Sequence, residues 1–413
     1  MIHNPPYRDW ACTLSAGSTS SLSMVYRMFL ERGDCVLSEE YTFATAVETS
    51  HPLGCRFVGV PMDDQGMIAD ALDELLDGWD PAARAGARKP FLLYTVPSGQ
   101  NPTGATQGAE RRRHIYRVAQ KHDLIVIEDE PYFFLQMDPY NGGAGEAPAA
   151  LPLPPKSRDD FVASLIPSLL SMDVDGRVVR LDSFSKVLAP GSRCGWTVAS
   201  AQICERLQRH GEVSTQHPAG FSQVILHRLL DEQWGHGGYL DWLAYLRGQY
   251  TRRRNVMVRA CEDHLPPSVA SWTAPTAGMF HWIGLDITKH PDHRKRSVLS
   301  LEDEIHRAAL EQGVLITPGS YFLAEQGKEP DKVFFRATFA AAEVRDPTAY
   351  NSPSRPLRAN VMCGYGSSTR WKKPSGAWGG QFGRHFEWRI ESVKRAERVS
   401  RTGAERVSRA GGS

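Results

Sequence analysis

The 413-residue chain reads as an α/β protein built on a mainly parallel central sheet. Three observations predict this. Its short apolar runs lack polar alternation, helical segments separate them, and polar turn-forming motifs follow three of the runs directly. Strands buried on both faces need helices on both sides. Right-handed crossovers then line up the strand C-terminal ends along one edge, where ligands bind.

Taken in order, residues 18–21 (Ser-Thr-Ser-Ser) can cap a helix whose apolar positions Leu22, Val25, Tyr26, Phe29 and Leu30 recur at helical spacing, with Gly33 ending it. A short buried strand is expected over 35–37 and another over 91–96, closed by Pro97. A helix over 110–122 leads to a strand over 124–127, and further strands are expected over 178–181 and 196–198. Residues 141–155, rich in Gly, Ala and Pro, predict a surface loop. A long helical segment over 239–264 opens a second region with strands over 280–283 and 333–336. The expected organisation is a large domain over 12–245, a smaller partial one over 246–343, and an irregular or disordered basic tail over 344–413.

Composition excludes extremes: 41% of residues are hydrophobic and 23% charged, which indicates neither a disordered nor a membrane protein. No run of about 18 apolar residues predicts a membrane span. The opening Met1-Ile2-His3-Asn4-Pro5-Pro6 lacks a basic-then-apolar signal pattern, and seven scattered cysteines form no C-x-x-C pair. A reduced cytosolic chain without a metal is therefore expected. Charge is uneven: residues 344–413 hold 14 Lys+Arg against 5 Asp+Glu, so the total of +1 leaves the body near −8. That tail can be read as a basic arm for nucleic acid or membrane, but its composition favours disorder, so neither partner is expected.

The chemistry lies in three motifs. In Asp182-Ser183-Phe184-Ser185-Lys186, with Arg193 seven residues on, a lysine stands just past a strand among hydroxyls and a guanidinium. That set suits an aldehyde cofactor carrying a phosphate, as pyridoxal 5′-phosphate (PLP) does, though a solvated surface lysine fits the pair alone. In Ile127-Glu128-Asp129-Glu130-Pro131-Tyr132, Asp129 ends an apolar strand, where a charge is costly unless paired. A carboxylate there can hold a pyridine nitrogen protonated, and Tyr132 can reach the ring oxygen; an acidic turn is the plain alternative. In Pro97-Ser98-Gly99-Gln100-Asn101-Pro102-Thr103-Gly104, Asn101 offers an amide to the same oxygen, while Asn-Pro and Thr-Gly also simply form turns.

Together these motifs resemble the fold-type-I PLP aminotransferases, and within them the fungal aromatic amino acid and 2-aminoadipate (kynurenine) aminotransferase group. The stretches His51-Pro52-Leu53-Gly54-Cys55, Ser214-Thr215-Gln216-His217-Pro218 and Ala277-Gly278-Met279-Phe280 carry the same likeness, which runs from about residue 14 to 342. The resemblance implies a three-layer large domain, a small α+β domain, a homodimer, and a ping-pong transfer of an amino group from an aromatic amino acid or 2-aminoadipate to 2-oxoglutarate. It implies that Lys186, Asp129 and Tyr132 are catalytic, with Lys186 the Schiff-base lysine and proton carrier. Ser18 and Thr19 at a helix N-terminus, Ser183, Ser185 and Arg193 would hold the phosphate. Phe43 would stack on the ring, Asn101 and Tyr132 would bond its oxygen, and Asn101 and Arg336 would bind the substrate, Arg336 through its carboxylate. Against that group, the arm and gate expected before the phosphate helix have no counterpart, and 344–413 does not resemble the closing helix. The tail is expected to be translated intron or shifted frame. Other PLP chemistry, such as β-elimination or decarboxylation, and a non-catalytic truncated homologue are the alternatives.

Overall fold

The structure is a computed structural model that describes residues 2–142 and 154–340. The expectations for 344–413 and for most of the 141–155 loop lie outside the described residues.

Seven strands form the central sheet: β1 (Trp10–Ser15), β2 (Cys35–Glu39), β3 (Arg56–Val60), β6 (Leu92–Thr95), β7 (Ile125–Asp129), β8 (Val178–Ser183) and β9 (Gly195–Ser200). Between β3 and β6 lies a small hairpin, β4 (Met62–Asp63) and β5 (Gly66–Met67). The sheet order is β1-β9-β8-β7-β6-β2-β3. The strands β2, β3, β6, β7 and β8 pair in parallel, whereas β9 runs antiparallel to both β8 and β1. The 196–198 segment, expected within a parallel sheet, is thus its reversed strand. It turns back because Lys186 and Arg193 sit on a short turn rather than on a helical crossover.

Alternate residues of these strands feed two cores. Leu92, Tyr94, Ile127 and Val179 enter one apolar cluster. Leu93, Val126 and Val178 enter the other. That division is why the apolar runs showed no polar alternation. The nine α-helices found among the described residues include α1 (Ser18–Phe29), α2 (Ala44–Ser50), α3 (Ala69–Asp77), α4 (Ala109–Lys121), α5 (Arg158–Ala163) and α6 (Ala201–Glu212). They continue with α7 (Gly220–His227), α8 (Gly235–His264) and α9 (Val298–Glu311).

Three readings need correction. The strand β1 was not foreseen, because a six-residue edge strand whose outer positions are exposed carries little apolar signal. No serine side chain caps α1; Gly17, at φ 104, holds the N-cap position. Nor does Gly33 end that helix, which stops at Phe29, with the Leu30 N–H bonded to the Tyr26 carbonyl.

A second, four-stranded antiparallel sheet has the order β10 (Ala270–Ser271), β11 (Phe280–Leu285), β13 (Val333–Thr338), β12 (Thr317–Pro318). Helix α8 is continuous over 30 residues, and the boundary expected at 245/246 falls inside it. The turn holding Asn101 meets the second sheet almost without side chains. A Cβ on Gly99 would lie 2.5 Å from the Gly278 Cα, and one on Gly104 would lie 2.6 Å from the Phe280 carbonyl oxygen. Both glycines have positive φ, so at these two positions closeness and backbone conformation exclude any other residue.

Candidate active site

Because β1 is parallel to β8 through the reversed β9, the C-terminal ends of β1, β6, β7 and β8 lie at one edge of the sheet. Three of them lead directly into the site. Beyond β1, Gly17 opens α1; β7 ends on Asp129; β8 ends on Ser183, three residues before Lys186.

Asp129 is buried, and its Oδ2 accepts a hydrogen bond of 2.8 Å from the Tyr94 hydroxyl. Its Oδ1 is buried with no partner. Burial pushes the carboxyl up to about 6, and the Asp182 charge adds to this, while the Tyr94 bond, Arg180 and Lys186 oppose it. A buried acceptor without a donor is costly. A protonated pyridine nitrogen would satisfy it.

The Lys186 amine is pushed down from its ordinary value by burial, then by the Arg336 and Arg193 charges, with Asp129 pulling the other way. Lys186 is thus within electrostatic reach of Arg336 on β13, Arg193 in the turn before β9 and Asp129 at the end of β7. A lysine so depressed has more neutral amine at neutral pH, the form that attacks an aldehyde.

At the α1 N-terminus, the first turn holds no acidic residue and no side chain caps it. Arg193, in left-handed conformation at φ 43, donates from Nη2 to the Ala16 carbonyl at 2.9 Å and from Nη1 to Ser185 Oγ at 3.3 Å. Ser183 Oγ accepts from the Ser185 N–H at 3.3 Å. Any Cβ on Gly17 would lie 2.4 Å from Arg193 Nη2, so glycine leaves the room that the guanidinium occupies. A guanidinium, two hydroxyls and a helix N-terminus form an anion cradle, so the residues present fit a phosphate. Ser18 Oγ is buried without a partner, and Thr19 beside it is exposed.

Asn101 is buried, and its Oδ1 accepts 2.8 Å from Arg336 Nη1 across 235 residues of sequence. An amide whose oxygen is so engaged turns its NH2 group elsewhere, free to donate. Tyr132 is buried, its hydroxyl raised above its ordinary value by burial and then by Asp129, and lowered by Arg336. The structure thus gathers Ser18, Ser183, Ser185, Arg193, Asp129, Lys186, Tyr132, Asn101 and Arg336 around one edge. Phe43 stands apart from these contacts: it is the N-cap of α2, half-buried against the core, and makes no ring contact among the described residues.

Several supporting residues went unread in the sequence. Tyr94 looked like one more strand residue. Behind Asp129 lies a wholly buried ion network. Arg180 binds Asp182 at 2.7 Å and Glu128 at 3.2 Å, and Arg112 binds Glu130 at 3.3 Å. Its only sequence signal was the density of charges in otherwise apolar strands.

This geometry defines a PLP-binding α/β enzyme. The chain matches the family aminotransferase class I and II over residues 7–346 and belongs to it. It is 45% identical over 348 residues to an aromatic amino acid aminotransferase of Schizosaccharomyces pombe, covering 84% of this chain and 72% of that protein. It is 46% identical over 360 residues to an aminotransferase, swnA, of Metarhizium robertsii, covering 84% and 68%. A crystal structure of aminotransferase Aro8 from Candida albicans superposes with a TM-score of 0.76 at 43% identity, covering 83% of this chain and 71% of that one. The protein is therefore a PLP-dependent transaminase acting on an amino acid and a 2-oxo acid. No helix among the described residues is long and apolar enough to cross a membrane.

Proposed function

We propose that the enzyme moves the amino group of an aromatic amino acid or 2-aminoadipate to 2-oxoglutarate. The observation that carries this reading is the 2.8 Å bond tying Arg336 to Asn101, whose turn follows β6 at the sheet edge where β7 ends on Asp129 and β8 leads to Lys186. When bound, PLP supplies the electron sink that weakens the bonds at the donor's α-carbon. Every other step falls to side chains. Lys186 holds the cofactor, then moves the α-proton with its Nζ. Asp129, whose Oδ1 is buried without a partner, would keep a proton on the pyridine nitrogen. Asn101 and Tyr132 would donate to the ring oxygen, and Phe43, at the N-cap of α2, would offer its ring face to the cofactor ring. Ser18 and Thr19, through the helix N-terminus, with Ser183, Ser185 and Arg193, hold the phosphate. Arg336 grips the α-carboxylate, which favours proton abstraction over loss of that carboxylate. The relative named for aromatic amino acids and the sequence motifs support the substrate class.

The test is holoenzyme assayed with tyrosine, phenylalanine or 2-aminoadipate against 2-oxoglutarate, reading keto acid and glutamate. Lys186→Ala is expected to abolish turnover and the cofactor absorbance that responds to donor. No keto acid from any of the three donors would end the substrate reading. A homodimer and a cytosolic location belong to the same proposal. In support of the first, Phe221, Val224 and Ile225 on α7 are exposed at 87%, 55% and 66%, an apolar surface suited to a second copy. A monomer by light scattering at about ten micromolar would remove it.

A further inference from the structure

Arg336 sits near the middle of β13, opposite Trp282 of β11 and Thr317 of β12. Residues opposite each other, or two apart, share a sheet face, so Phe280, Trp282, Phe334 and Arg336 all lie on one side. On that side the Arg336 Cζ lies 4.4 Å from the Phe280 ring centroid and 4.6 Å from that of Phe322. Both rings are buried. Each is held in turn. Phe280 meets Tyr132 edge-on at 5.9 Å, and Phe322 meets Trp282 edge-on at 6.3 Å. Trp282 itself stacks on Phe334 at 5.0 Å and 15°.

A guanidinium donates hydrogen bonds in its plane and attracts aromatic rings on its faces. The two kinds of contact do not compete. Here Nη1 bonds Asn101 Oδ1, while the Cζ stands over the Phe280 and Phe322 rings. Long side chains such as arginine lose much rotamer freedom when fixed. With the rings in place, that ordering precedes substrate binding and does not weaken it.

We propose that Phe280 and Phe322 are positioning residues for the substrate carboxylate: they hold the Arg336 guanidinium in the orientation that binds it. This rests on the assignment of Arg336 to the carboxylate, and it adds two residues that act through Arg336 without touching the reacting atoms.

The probe is 3-phenylpropionate, an aromatic carboxylate with no amino group to transfer, titrated calorimetrically into holoenzyme. Phe322→Leu keeps apolar bulk but removes the ring face; Phe322→Tyr keeps the face. With a desolvated contact, Phe322→Leu is expected to weaken probe binding and raise KM for donor and acceptor by about 5- to 30-fold. Its kcat should change by less than about threefold, as for lost binding common to ground and transition states. Phe322→Tyr should restore the dissociation constant. The idea is overturned if leucine and tyrosine variants behave alike, if probe affinity holds while melting temperature falls, or if kcat alone drops. Should Phe322→Leu not fold, Phe280→Leu and Phe280→Tyr give the same comparison from the other ring. Arg336→Gln separates the two claims. If it leaves probe affinity unchanged, the carboxylate assignment fails. If it weakens the probe while neither leucine variant does, only the positioning role fails.

Discussion

Replacing Tyr94 by Phe removes one hydroxyl from the site and leaves the rest of the core in place. The Tyr94 ring packs edge-on to Phe57 at 6.4 Å in either case. What is lost is the 2.8 Å bond to Asp129 Oδ2. Burial already raises Asp129 to about 6, and that bond is the largest influence resisting the rise. At pH 7 a group titrating at about 6 is roughly nine-tenths ionised. A hydrogen bond to a charged acceptor contributes about 1.5–3 kcal/mol, or about one to two pKa units. Without it, Asp129 in the cofactor-free protein should titrate at about 7–8, leaving roughly a tenth to a half ionised at pH 7. Only the ionised carboxylate holds a protonated pyridine nitrogen. PLP affinity at pH 7 should therefore fall about 2- to 10-fold, and the two proteins should converge by about pH 9. The assay is a fluorescence titration of the apo protein with PLP at a series of pH values, reading the lower pH midpoint of affinity. An upward shift of that midpoint by about one to two units is expected. A Tyr94→Phe protein that folds but shows an unmoved midpoint, or a lowered one, refutes the assignment of Asp129 as the titrating group and of Tyr94 as its support.

Two other perturbations test the frame around the site. Because folding raises Asp129 from 3.8 to about 6, its contribution to apo stability is fully present below about pH 4 and is lost as pH rises to about 6, costing about 3 kcal/mol above that. Urea denaturation of wild type and Asp129→Asn across that range should show the decline only in wild type; parallel curves would contradict it. Gly278→Ala puts a Cβ 2.7 Å from the Gly99 carbonyl oxygen at a φ of 77°, so it should cost about 2–4 kcal/mol and raise KM by displacing Asn101 from Arg336. An unchanged denaturation midpoint would show that the joint between Gly99 and Gly278 gives way freely.

Much of the cofactor side of the site was legible in the sequence, because its parts are local. Asp129, Ser183 and Lys186 each follow an apolar run within a few residues, and a strand end is a predictable place. The mainly parallel sheet was legible for the same reason: Leu92, Leu93 and Tyr94 show no alternation because they feed two cores at once. What escaped has no local signature. An edge strand such as Trp10–Ser15 buries one face only weakly, so no periodic run announces it. The hydroxyl of Tyr94 looks like any strand tyrosine until Asp129, 35 residues on, is placed beside it in the next strand.

The substrate side differs in kind. Arg336 could be assigned from sequence only by resemblance, because its meaning depends on Asn101, Phe280 and Phe322, which reach it from three other segments. That convergence is possible only if the Asn101 turn and the second sheet approach to backbone contact. Glycine at 99, 104 and 278 permits the approach, since a methyl group at any one would collide with backbone within 3 Å. The three glycines therefore do for the Asn101–Arg336 contact what the strand ends do for Asp129 and Lys186: they bring distant groups to one place. A sequence shows such residues only as turns, because the contact they allow involves no side chain of their own.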